Sequence, residues 1–470
     1  MLALLLCLAP VTLPAAEPLP DLGDPGSALL APDQEYRLGR AWLRQLRSQV
    51  PILDDPLVQE YAEHLVYRLA SHSDLTSPDL ALVIVNRREI NAFAVPGGVI
   101  GLNAGLFLEG ESEDEVAGVI AHELAHLSQR HFLRRYADSQ RINTAVLAAM
   151  LASIAVAIAG DPEAGMAGMA ATQAAAIQQQ LAYSRAHERE ADREGMDTLQ
   201  AAGMDPDGMP RFFERMMREQ QFSGDPPEFL LTHPVTRERI ADSRARARTL
   251  GQVPLNDSLY FQLISARITA GFFAEPGHAV RFFAGQFRGG ASIREQAAAY
   301  GLVMAMLRDK QYDNAADIVA SLRKRFPDEQ WYRLAEAEVE IARARHGQAA
   351  ELLRDQLRLM PGNYTVSIYL GRALLGDDQA IAAAGVIEPV LRTRPHDPVA
   401  WQLAADAYGR SDQLARAHRA RGEVLFLHGK EEKAMEQLRF ALDAATDNFA
   451  LHAQLKARLR EMESLSREKF

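Results

Sequence analysis

The sequence predicts a mainly α-helical protein in two parts. Residues 17–254 read as an α+β domain in which helices dominate one small sheet, and residues 255–470 as a solenoid of helical repeats. Three observations predict this. Apolar residues recur at helical spacing through most of the chain. Strand-like runs are confined to residues 80–103. Beyond residue 255 no strand signal remains, and Pro327, Pro361 and Pro395 fall 34 residues apart, the period of tetratricopeptide helix–turn–helix units.

The composition, 48% hydrophobic and 24% charged over 470 residues, is that of globular domains and argues against wholesale disorder or a polytopic membrane protein. The balance of 51 basic against 62 acidic residues argues against a nucleic-acid binder. The single cysteine, Cys7, lies in the extreme N-terminal segment, which excludes cysteine proteases and zinc fingers.

Residues 2–13 form a short apolar run, followed by Ala15, Ala16 and an acidic, proline-rich stretch. This reads as a signal peptide over residues 1–16 and a soluble, exported protein. Residues 33–72 read as two helices, with Trp42, Leu43 and Leu46 on one stripe and Leu57, Tyr61, Leu65 and Leu69 on the other. Residues 80–85 are strand-like, and residues 91–103 read as strand, Pro-Gly-Gly turn and second strand. Ser112 and Glu115 form a capping-box pattern that opens the next helix. A second apolar run, residues 145–159, falls short of the roughly 20 residues that span a bilayer. It reads as a buried or partly exposed helix and leaves room for peripheral membrane contact. A Gly- and Ala-rich stretch over 160–176 leads to a helix over 178–199, a loop over 224–234 and a basic helix over 237–248. In the repeat half, Trp401, Ala405 and Tyr408 fit the aromatic–small–aromatic pattern of a first repeat helix. One such repeat cannot bury its own face, so several must stack.

The chemistry centres on His122-Glu123-Leu124-Ala125-His126. On a helix, residues four apart share a face, so both imidazoles can reach one metal with Glu123 beside them. Zinc suits such a pair, and a catalytic site then needs a third protein ligand. His131 is five residues past His126, off that face, and reads as a structural or hydrogen-bonding residue. Glu188 and Asp192 are four apart, so one can ligate while the other orients a ligand imidazole. Spacing does not say which, and Glu190 and Glu194 compete.

These motifs resemble the metallopeptidase family that contains the CAAX prenyl endopeptidase and the bacterial heat-shock protease HtpX, whose pattern is HExxH…ExxxD. The resemblance implies a zincin-like (gluzincin) domain and a zinc metalloendopeptidase with one Zn2+ per chain. His122, His126 and Glu188 would be the ligands, Glu123 the general base, and Asp192 the group that orients a ligand His. The segment Asn91, Ala92, Phe93, Ala94, Val95 would be the edge strand that receives substrate backbone. His233 and Arg239 match a further family element and would face the site as catalytic groups, with His233 also able to act as a regulatory fourth ligand. The membrane helices of the prenyl endopeptidase and HtpX are missing. A leader plus repeats resembles the periplasmic branch of the family that works in outer-membrane β-barrel assembly. That implies unfolded or misassembled outer-membrane proteins as substrates and the β-barrel assembly machinery as partner, reached through the repeats. The alternative is a chaperone or scaffold whose protease site is latent and self-repressed.

Overall fold

The computed structural model describes residues 30–76, 79–137, 155, 184–223, 227–251, 253 and 258–467. The leader at 1–16, nearly all of the apolar run at 145–159, the linker at 160–176 and the start of the helix expected from residue 178 lie outside these residues.

The strand-like runs pair as a mixed three-stranded sheet in the order β1-β3-β2. β1 (Ala81–Val85) runs parallel to β3 (Val99–Asn103), and β2 (Ala92–Val95) runs antiparallel to it. Gly97 and Gly98, with φ of 86° and 73°, supply the left-handed backbone that joins β2 to β3. Alternate side chains feed two cores. Leu82, Ile84, Ile100 and Leu102 join the main cluster with helices α2 (Pro56–Ala70) and α4 (Glu113–Ser128), between which lies the short α3 (Gly105–Glu109). Val83, Val85, Phe93 and Val99 pack on α1 (Pro32–Gln49), where Trp42 meets the Phe93 ring edge-on at 5.6 Å. Both faces are covered, so the strands read as apolar throughout.

Helix starts follow local chemistry. Asp55 caps α2 by accepting from the Leu57 and Val58 amides, with Pro56 at the first helical position. Ser112 caps α4 as expected. The capping box is only half formed, however. Glu115 turns instead to the Glu111 amide at 2.9 Å and to Arg215 at 2.8 Å, because a guanidinium is a stronger partner than the Ser112 amide. Arg215 comes from α7 (Gly208–Ser223), a helix the sequence reading did not resolve. It follows α6 (Arg185–Ala201), while α5 (His131–Ala137) follows α4 directly.

The repeat half is helical throughout its described residues. Helices begin at Tyr312, His346, Ala380 and Leu414, and Lys310, Ala344, Asp378 and Asp412 just before them all adopt positive φ. The 34-residue step seen in the prolines therefore recurs in the backbone: each left-handed residue turns the first helix of a pair into the second. Trp401, Ala405 and Tyr408 are buried in the helix Pro398–Arg410, as the repeat pattern requires.

The repeats close around α2. Asn363 donates to Glu60 at 2.9 Å, Arg394 pairs with Glu63, and Trp331 meets Tyr61 edge-on. Arg267, on the helix Leu259–Phe272, binds Asp55 at 2.6 Å and takes Glu338 with two hydrogen bonds. Replacing Arg267 with Met would take the guanidinium from both carboxylates, leaving Asp55 only the α2 amides it caps. The variant should lose roughly 3–5 kcal/mol of stability, read as a lower urea midpoint for the full chain at neutral pH.

Candidate active site

Helix α4 carries His122, Glu123 and His126 into the interior, each at 2% exposure or less. The two Nε2 atoms stand 3.0 Å apart, so both imidazoles aim at one point. Helix α6, capped by Ser184, runs against α4. Gly195 permits this approach, since a Cβ there would lie 3.0 Å from the His122 amide nitrogen. The close approach sets Glu188 at 3.5 Å from His126 Nε2 and 3.6 Å from His122 Nε2. Asp192, one turn on, lies behind, 3.0 Å from His122 Nδ1. Glu190 turns to Arg134 and His131, and Glu194 sits among Asp74, Asp197 and Arg246.

Residues 224–234 were expected to be a loop. In the structure Glu228–Thr232 form one helical turn, α8, entered through Pro227 and anchored by the fully buried Phe229. The Phe229 ring stacks on His233 at 4.7 Å. His233 Nδ1 thereby sits 3.1 Å from Glu188 Oε1 and 3.4 Å from His122 Nε2, while its Nε2 is 3.4 Å from Glu123 Oε1. Arg239, at the start of α9 (Arg237–Leu250), grips Asp192 through Nε and Nη2 at 2.8 and 2.7 Å. Its Nη1 reaches Glu188 Oε2 at 2.7 Å and the Pro234 carbonyl at 2.8 Å. The segment Asn91–Val95 includes β2, which lies at the sheet edge, and Ala94 N–H donates to the Glu123 carboxylate. The head of this strand is occupied: Phe229 N–H donates to Ile90 O at 3.2 Å, and Asn91 donates to Glu228 at 3.0 Å.

The peptidase family M48 pattern matches residues 56–247, the stretch that holds every one of these groups. A putative beta-barrel assembly-enhancing protease of Vibrio cholerae is 36% identical over 99% of this chain and 97% of its own length. The chain belongs to peptidase family M48. The beta-barrel assembly-enhancing protease of Escherichia coli K12 is 30% identical, over 98% of this chain and 94% of its own. The metalloprotease LoiP of the same organism is 25% identical over 45% of this chain and 83% of its own. The chain is accordingly a metalloprotease.

The M48 site fits a small divalent ion on two counts. One donor atom from each of His122, His126, Glu188 and His233 falls in a group within 4.8 Å, and the separations given above run from 3.0 to 3.6 Å. Ligands held tetrahedrally at 2.0–2.1 Å would stand about 3.3 Å apart. Charge agrees with distance. Glu123, Glu188 and Asp192 are buried with one guanidinium, Arg239, so carboxylates outnumber the fixed cation and a metal cation would meet a favourable field.

Electrostatics sort the groups by task. Burial and the neighbouring imidazoles hold His126 well below the usual histidine range, in the neutral form that ligates metal. Burial alone would push the Glu188 and Asp192 carboxyls up. The neighbouring His233, Arg239 and His122 outweigh it and hold both below the usual range. For Glu123 burial wins over His233 and His122 and raises the carboxyl.

Spacing placed His131 off the ligand face as a hydrogen-bonding residue, and it stands outside the ligand group, behind His126. Helix α4 ends at Ser128, and Arg130, with φ 49°, reverses the chain. His131 Nδ1 then lies 3.0 Å from His126 Nδ1. Burial takes this imidazole down to about 4, so it is neutral at pH 7. No sequence pattern signalled this turn, nor the Ala94 amide aimed at Glu123.

Replacing Arg239 with Leu should cost the metal-free chain roughly 3–5 kcal/mol at pH 7, seen in thermal unfolding. Glu188 and Asp192 titrate below their unfolded-state values, so their stabilisation is present above about pH 4 and lost as pH falls through and below it. That acid-side fall in melting temperature should be shallower in the variant.

Proposed function

We propose that the chain is an exported zinc endopeptidase that His233 holds in a repressed state. The observation that carries this is the convergence of His122, His126 and Glu188 on one point, with Glu123 beside it and His233 across it. Zinc is the ion we assign, because two neutral imidazoles and one carboxylate form a common catalytic zinc set. When bound there, it acidifies a water and polarises the scissile carbonyl.

The chain's own groups do the rest. Glu123 takes the proton of the attacking water and passes it to the leaving amine, a task suited to a carboxyl lifted by burial and oriented by Ala94 N–H. Asp192 keeps the proton of His122 on Nδ1. Arg239 has its donors committed to Asp192, Glu188 and Pro234, which suits it to positioning rather than to receiving an oxyanion. The substrate adds as a strand to the edge at Asn91–Val95. His233 Nδ1 points into the ligand set, which favours the gating role: four protein ligands make a closed, inert site. Substrate or partner must lift the turn Glu228–Thr232 from the strand head.

The substrates we assign are unfolded or misassembled outer-membrane β-barrel proteins in the periplasm, with the assembly machinery as partner. The relatives' names and the near-full-length similarity support this. Among the described residues no helix is long and apolar enough to cross a membrane. We place partner docking on the repeats, which lie outside the residues matched by the M48 pattern.

Purified full chain should carry one zinc, and chelation should abolish casein cleavage. Glu123→Gln should keep the zinc and lose cleavage by at least a hundredfold, on the order of a lost general base. His233→Ala should cleave faster than the native chain. A slower His233→Ala would return His233 to catalysis, and a Glu123→Gln chain that still supports envelope integrity would favour the chaperone reading.

A further inference from the structure

We propose that Glu190 and His131 form a hydrogen-bond relay that holds His126 in its metal-binding tautomer, which makes His131 a positioning residue of this site. The proposal rests on the reading of His122, His126 and Glu188 as ligands.

The direction of each hydrogen bond follows from the end of the chain. Arg134 Nη1 lies 3.1 and 3.3 Å from the two oxygens of Glu190, so that carboxylate is paired as an anion and only accepts. Its Oε2 is 3.1 Å from His131 Nε2, which must therefore carry the proton. A neutral His131 then presents a bare Nδ1, and 3.0 Å away stands His126 Nδ1. One of these two nitrogens has to donate, and only His126 has a proton left to place there. Its Nε2 is thus bare and faces His122 and Glu188. Asp192 does the same for His122 directly. Helix α6 therefore supplies three carboxylates with three tasks: Glu188 in the ligand set, Asp192 behind one imidazole, and Glu190 behind the other through His131.

The relay has little room to rearrange. The His131 side chain is fully buried and stacks on His187, with ring centroids 4.5 Å apart and planes 17° apart. Partners that fix a ligand imidazole typically change metal affinity about 10–100-fold when removed.

The test is zinc affinity of the full chain, measured by competition with a chromophoric chelator, beside melting of the metal-free forms. His131→Phe keeps a ring but offers no acceptor, and should bind zinc at least about tenfold more weakly. His131→Asn places an oxygen where Nδ1 was, and should stay within about threefold of the native chain. Glu190→Ala changes only the partly exposed far end, so it tests the relay even if His131→Phe fails to fold, and should weaken zinc at least about threefold. Native-like affinity in His131→Phe or in Glu190→Ala, or equal loss in the Phe and Asn variants, would overturn the relay while leaving the metal site intact. A native chain that binds no zinc would sink the ligand assignment itself.

Discussion

Charge confined to a dry pocket is the constraint on which the rest of this structure depends. Glu123, Glu188 and Asp192 lie within one buried cluster, where unmatched carboxylates could not stay ionised. Arg239 supplies part of the compensation, and the metal that membership of family M48 implies would add to it. Several features of the fold serve that balance. Gly195 lets α6 approach α4 closely enough for its carboxylates to reach the imidazoles. The Thr236 cap starts α9 where Arg239 can turn inward. Burial keeps His126 neutral, so that it adds a donor and no positive charge.

The surrounding architecture decides what can reach this pocket. β2 is an edge strand, but its head is held by the turn that carries His233, and its free side faces Glu123. The repeats are not a loose appendage to this arrangement. Ile120 of the catalytic helix and Tyr369 of the repeats belong to one continuous apolar cluster, joined through α2. The repeats and the strand head therefore rest on elements that share a core.

Much of this was legible in the sequence, because the decisive signals are local. The HELAH spacing puts two imidazoles on one helix face whatever surrounds the helix, and the four-residue step from Glu188 to Asp192 does the same for α6. The proline period of the repeats reflects a backbone turn that recurs at Lys310, Ala344, Asp378 and Asp412. What escaped depends on tertiary contacts. His131 is the hydrogen-bonding residue expected, but its partner His126 depends on the turn at the left-handed Arg130 that follows α4. Glu115 fitted a capping box, yet Arg215 from a distant helix claimed it. The turn at Glu228–Thr232 is too short for periodicity to show and is held by the burial of Phe229.

The metal assignment is tested most directly by anomalous diffraction at the zinc edge, on crystals of the full chain loaded with zinc. One peak is expected, about 2.0–2.2 Å from His122 Nε2, His126 Nε2 and a Glu188 oxygen. A zinc-loaded crystal whose only peaks lie away from these three groups would contradict it.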